Sequence, residues 1–143
     1  MKKESTWEEC VDSNSSVSIS PDKAKANSLI DTASGRNKFL DKNEVNESSA
    51  NYLFEGYYSS ALEMLHALLL LHGYKVGNHI CLGYYLRDIL NRNDLFRIFD
   101  DGRFKRNSLI YYGRKMDFET AKQAIEKYQN LIKELKNILN DEL

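Results

Sequence analysis

Between residues 118 and 139, Phe118, Ala121, Ile125, Tyr128, Ile132, Leu135 and Leu139 step by 3, 4, 3, 4, 3 and 4. Apolar side chains at that period share one face of an α-helix and alternate in no strand. A second stretch behaves alike, with Phe54, Tyr58, Ala61, Leu65, Leu68 and His72 stepping by 4, 3, 4, 3 and 4. Met64, Leu69 and Leu71 widen that stripe, which predicts a central helix touched on more than one side. No segment alternates with period two for long enough to make a strand. The pattern predicts an all-α bundle of four long helices plus one shorter helix, joined by short loops. At 143 residues there is room for one such domain.

Capping residues set the expected boundaries. Ser20-Pro21-Asp22 reads as an N-cap, a proline at the first helical position and an acid in the first turn, so a helix is expected from Pro21 to about Asp41. The second runs from about Ser48 to Leu71 and stops at Gly73. A third follows the Asn78 cap to about Leu90, Asp94–Asp100 forms a short turn, and a fourth helix spans Gly102 to Tyr112, ended by Gly113. The fifth starts at an Asp117 cap and runs to about Asn140. Residues 1–20, rich in serine, are expected as a flexible or partly ordered arm, with Trp7, Cys10 and Val11 offering one helical turn against the body formed by residues 21–143.

Charge excludes some partners. Lys plus Arg number 20 and Asp plus Glu 21, a net −1, so no global field draws the chain to nucleic acid or an anionic membrane. The longest apolar run, Ala61 to Leu71, is broken by Glu63 and His66 and is too short to span a bilayer. After Met1-Lys2-Lys3 the chain continues Glu-Ser-Thr-Trp rather than into an apolar segment, so no signal peptide and no membrane are expected. Two cysteines, Cys10 and Cys81, are too few for a disulfide scaffold, and a reducing, cytoplasmic setting is the expectation.

The chain lacks the glycine-rich, Walker, zinc-protease and nucleophile-elbow signatures, and neither a cofactor nor a metal is expected. The charge map is more informative. Residues 97–115 hold Arg97, Arg103, Lys105, Arg106, Arg114 and Lys115 against Asp100 and Asp101, a local +4, which leaves −5 for the rest. With Phe104, Tyr111 and Tyr112 interleaved, such a segment holds phosphates on its guanidinium groups and stacks bases on its rings; the same run also fits a solvated helix face. His66 reads as a hydrogen-bonded core or edge histidine. His72 reads as a helix C-terminal cap, and His79 as a positioner of the turn after the second helix. Tyr57, Tyr58, Tyr84 and Tyr85 read as core and interface aromatics.

Ala61-Leu62-Glu63-Met64-Leu65-His66-Ala67-Leu68-Leu69-Leu70-Leu71-His72-Gly73-Tyr74-Lys75, then His79, then Arg106-Asn107-Ser108-Leu109-Ile110-Tyr111-Tyr112-Gly113, resembles the HEPN superfamily of small helical domains. The Pro21-Asp22-Lys23 helix start is similar to that of an archaeal-type branch, and the likeness covers roughly residues 21–140. The resemblance implies an up-and-down bundle that forms a homodimer, often encoded beside a minimal nucleotidyltransferase partner in toxin–antitoxin pairs. In many members it is a metal-independent ribonuclease using an arginine followed, four to six residues later, by a histidine. Arg106 matches that arginine and Asn107 the polar residue after it, but Tyr111, Tyr112 and Gly113 occupy the histidine window. A tyrosine of ordinary pKa is a poor proton shuttle at neutral pH, so binding of RNA or a nucleotide through Arg106, Asn107, Tyr111, Tyr112, Arg103 and His79 is expected ahead of cleavage. A plain helical adaptor remains an alternative. A second role for Arg106 is also open, an ion pair with a carboxylate buried at the dimer seam.

Overall fold

The computed structural model describes residues 3–142; Met1 and Lys2 of the expected arm and Leu143 of the expected body lie outside it. In chain order the elements are α1 (Trp7–Asp12), β1 (Ser16–Ser18), α2 (Lys23–Asp41), α3 (Ala50–Leu71), β2 (Tyr74–Val76), α4 (His79–Asp88), α5 (Asn93–Tyr112) and α6 (Phe118–Glu142). The molecule is mostly helical. No helix among the described residues is long and apolar enough to cross a membrane.

α3 is the axis of the packing. It lies against α2 and α6 along its length and also touches α4, α5 and β2. Fourteen of its side chains are buried, including Phe54, Tyr58, Ala61, Leu65 and Leu68 of the predicted stripe. α6 buries Ala121, Ile125, Tyr128, Ile132, Leu135 and Leu139 against it, while its polar positions face outward. Fully burying one such large apolar side chain contributes about 1.5–3 kcal/mol, so these two stripes dominate the core. The breadth of the α3 stripe is thus used up inside one chain, by α2 on one side and α6 on the other.

Several boundaries differ from the sequence expectation. Asp22, not Ser20, caps α2, its carboxylate accepting from the Lys25 N–H at 3.0 Å. Asn78 and Asp117 do cap α4 and α6, accepting from the N–H groups of Ile80 and Thr120. The largest change is in α5, where the expected turn and the separate helix from Gly102 are one helix of 20 residues. Gly102 is there for space: a Cβ at that position would meet the Tyr128 ring at 2.1 Å. The glycine that looked like a helix boundary lets α6 approach, and Tyr128 donates its hydroxyl to the Phe99 carbonyl across the gap at 2.8 Å.

The N-terminal segment is also more structured than its serine content suggests. Thr6 caps α1 by accepting from the Glu9 N–H at 3.1 Å. Trp7 is 5% exposed and stacks edge-on against Tyr74 and Tyr85, and its backbone N–H donates to the Asp88 carboxylate at 2.8 Å. β1 pairs antiparallel with β2, Ser16 opposite Val76 and Ser18 opposite Tyr74, which corrects the expectation that the chain contains no strand. Gly73 makes the pairing possible, with φ +86° and its absent Cβ only 3.0 Å from the Ile19 carbonyl oxygen. Finally, Cys10 of α1 and Cys81 of α4 form a disulfide, a pairing their separation of 71 residues hid from any spacing rule. The two thiols read as independent in the sequence are one cross-link between the arm and the body.

Candidate functional site

α5 and the first turn of α4 build a pocket of about 300 Å³ lined by Gly77, Asn78, His79, Arg103, Arg106, Asn107 and Tyr111. Helical spacing explains the α5 contribution: 103, 106, 107 and 111 are separated by three, one and four residues and fall on one face. His79 arrives from the opposite wall because Asn78 caps α4 and fixes the ring at the helix start. Five of the six residues marked out by the sequence therefore meet at one place. Tyr112 does not, since it lies on another face, 73% exposed, with the Arg114 guanidinium 5.9 Å from its ring centre.

The cations in this region are not equivalent. Arg103 is tied to Asp100, donating to it through Nε and Nη2, and Lys105 to Asp101. The local +4 already counts those two acids, so it is carried by Arg97, Arg106, Arg114 and Lys115. Among the described residues Arg106 has no carboxylate partner; its Nε is buried without a hydrogen bond, and its guanidinium lies 5.6 Å from the centre of the Tyr58 ring. The Tyr58 ring was not marked as part of the site by the sequence. It belongs to the α3 stripe, and nothing in its local pattern distinguishes a core tyrosine from one supporting a cation.

Burial, then the charges of Arg106 and Arg103, hold His79 below the usual histidine value, so its imidazole is neutral at pH 7. His66 lies behind it with ring centres 6.1 Å apart and is pushed down to about 4, chiefly by burial and then by His79. His66 sits at the edge of the core, as one of the two expected placements has it, but makes no hydrogen bond among the described residues. His72 is elsewhere, its Nδ1 meeting the Tyr85 hydroxyl and its Nε2 2.9 Å from Glu142. Tyr57, Tyr58 and Tyr85 are buried in the core, and Tyr84 is partly buried beneath Arg87. Among the described residues no three metal-ligating side chains cluster. The pocket offers one guanidinium without a counter-charge, one neutral imidazole, one amide and one exposed aromatic ring. Such a set suits a phosphate with an attached ring.

Comparison with protein-family models, with curated proteins and with solved structures finds no match to this chain.

Proposed function

We propose that the protein is a HEPN-like, dimeric module that binds RNA or a nucleotide through the α4–α5 pocket. The observation that carries the reading is Arg106, a partly buried guanidinium without a carboxylate partner among the described residues, beside His79 and Asn107. A buried donor without a partner is uncommon in a folded protein, and an oxyanion satisfies it with a charge-assisted bond. Tyr111, 68% exposed at the rim, supplies a stacking surface for a base. A second copy of the chain and a nucleotidyltransferase belong to the same proposal as partners, whereas the Cys10–Cys81 disulfide argues against the reducing, cytoplasmic setting expected from the cysteine count. The dimer gains support from exposed Phe104, Ile110, Tyr111 and Tyr112, which one chain leaves uncovered along the end of α5.

A second reading, metal-independent ribonuclease, is favoured by His79 alone. A neutral imidazole facing a phosphate-binding arginine is the right form of a general base for a 2′-hydroxyl, with the 5′-oxygen taking its proton from water.

One set of measurements separates these readings. Fluorescence anisotropy with a labelled single-stranded RNA should show binding that Arg106→Ala weakens by about 1–3 kcal/mol, with a shallower salt dependence and an unchanged melting temperature. Loss of stability without a selective binding defect would overturn the assignment of Arg106. Cleavage of the same RNA by the unmodified protein in EDTA, abolished by His79→Ala, would replace binding by catalysis. Tyr111→His, which restores the arginine–histidine spacing inside this pocket, should create cleavage if only the proton shuttle is missing.

A further inference from the structure

One wall of the α4–α5 pocket is also the seat of the N-terminal segment. Gly77, Asn78 and His79 line the pocket, and the chain on either side of them is held by residues 3–18. Before them, Ser16 faces Val76 and Val17 faces Lys75 across the β1–β2 ladder, and Gly77 itself donates its N–H to the Ser15 carbonyl at 2.8 Å. After them, Cys81 is joined to Cys10 within the turn in which the Cys81 N–H donates to the Asn78 carbonyl at 3.0 Å. Whatever positions the arm therefore positions the helix start that carries His79. The arm cannot order itself: α1 has six residues and β1 three, too few for a helix or a two-stranded ladder to persist alone in water. One of its own groups opposes docking. Ser16 is 1% exposed and its hydroxyl is buried without a hydrogen bond among the described residues, a desolvation that release into water reverses. Burial of Trp7 and the bond between the chain's two cysteines resist that release, and of these only the bond can be cut by chemistry.

We infer that the Cys10–Cys81 disulfide is a redox switch on the α4–α5 pocket: the oxidised chain holds the Gly77–His79 wall against Arg106, and reduction frees the arm and loosens that wall. The inference rests on the function proposed for Arg106 for the identity of the ligand, and on the arm's contacts for the switch itself. A dithiol reductant performs the step. Cys10 and Cys81 are wholly buried while the arm is docked, so attack follows a lifting of α1. A reductant thiolate bonds to one cysteine sulfur, and the other cysteine leaves as a thiolate and takes a proton. The second reductant thiol then closes the reductant's own disulfide and releases the first cysteine, so the protein gains two electrons and two protons. Coupling of this kind is reciprocal, and a ligand that draws Arg106 and His79 together favours the oxidised chain by the same factor.

The test compares the full chain oxidised, reduced with dithiothreitol, and carrying Cys10→Ser with Cys81→Ser, the thiols being counted by alkylation after unfolding. Hydrogen exchange without ligand should show the amides of residues 76–81 losing protection on reduction and in the double variant, while the middles of α3 and α6 keep theirs. Labelled single-stranded RNA should bind the reduced chain and the double variant on the order of tenfold more weakly than the oxidised chain, a factor usual for coupled sites. Oxidised glutathione should restore protection and binding in the unmodified chain and neither in the double variant. Unchanged protection at residues 76–81 would overturn the switch, and so would RNA affinity that is equal in the two states. Loss of protection throughout α3 and α6 would also overturn it, making the disulfide a staple of the whole fold. If the oxidised chain binds no RNA while exchange at residues 76–81 still follows the disulfide, the reading of Arg106 fails and the switch stands.

Discussion

Leu65 is fully buried in the middle of α3, and truncating it removes apolar contact on every side. Leu65→Ala should lower the unfolding free energy by about 2–5 kcal/mol in urea titration, whereas an unchanged midpoint would mean that the stripe faces solvent. His66, one residue on, makes a different contribution. Its folded value of about 4 lies below the ordinary 6.5, so the unfolded chain binds the proton more readily. Stability is therefore complete above pH 6.5 and is lost as pH falls toward 4, by at most about 3 kcal/mol, with His79 acting in the same direction. Comparing urea midpoints at pH 7 and pH 5, above the range where most carboxylates titrate, should show the loss, and His66→Phe should reduce it. At this scale the sequence is legible where period decides burial, as at Leu65, Leu68 or Tyr128. It is illegible where two distant side chains decide each other's state, as His66 and His79 do, because no local pattern encodes their approach.

The same division holds for elements. α3 and α6 are evident from spacing because each buries a continuous face over more than five turns, and tertiary packing merely agrees with the period. α5 is misread because Gly102, a weak helix former, looks like a boundary until Tyr128 is seen filling the space it leaves. In the arm, the helical turn offered by Trp7, Cys10 and Val11 is present as α1, whereas the seat of Trp7 at Tyr74, Tyr85 and Asp88 is set by residues far along the chain. Of the α4–α5 pocket, the α5 face was visible from helical spacing, whereas its closure by Asn78 and His79 depends on how α4 packs. The Cys10–Cys81 bond closes a loop of 71 residues, for which chain entropy gives a stabilisation of about 4 kcal/mol. Reduction, or Cys10→Ser with Cys81→Ser, should lower stability by about 2–4 kcal/mol and open residues 3–20 to limited proteolysis. Identical melting of the oxidised and reduced protein would show that the arm is held by its noncovalent contacts alone.

For the whole molecule, the oligomeric state is the most direct test. The proposed dimer is assigned to the end of α5, where Phe104, Ile110, Tyr111 and Tyr112 lie together and Phe104 and Tyr112 are 62% and 73% exposed. Analytical ultracentrifugation at micromolar concentration should find a species of twice 16.6 kDa that Tyr112→Asp dissociates; a single 16.6 kDa species would exclude the dimer. The bonds that hold the arm have another consequence, in the order of assembly. Glu4, Ser5, Trp7, Cys10 and Ser15 find their partners at Tyr84, Arg87, Asp88, Cys81 and Gly77, all far later in the chain. During synthesis residues 3–18 must wait, unsatisfied, until α4 has followed them, since contacts so distant in sequence form only after the intervening chain has closed. The segment of α1 and β1 is thus among the last parts to take its place, a latch that fastens onto a body already built.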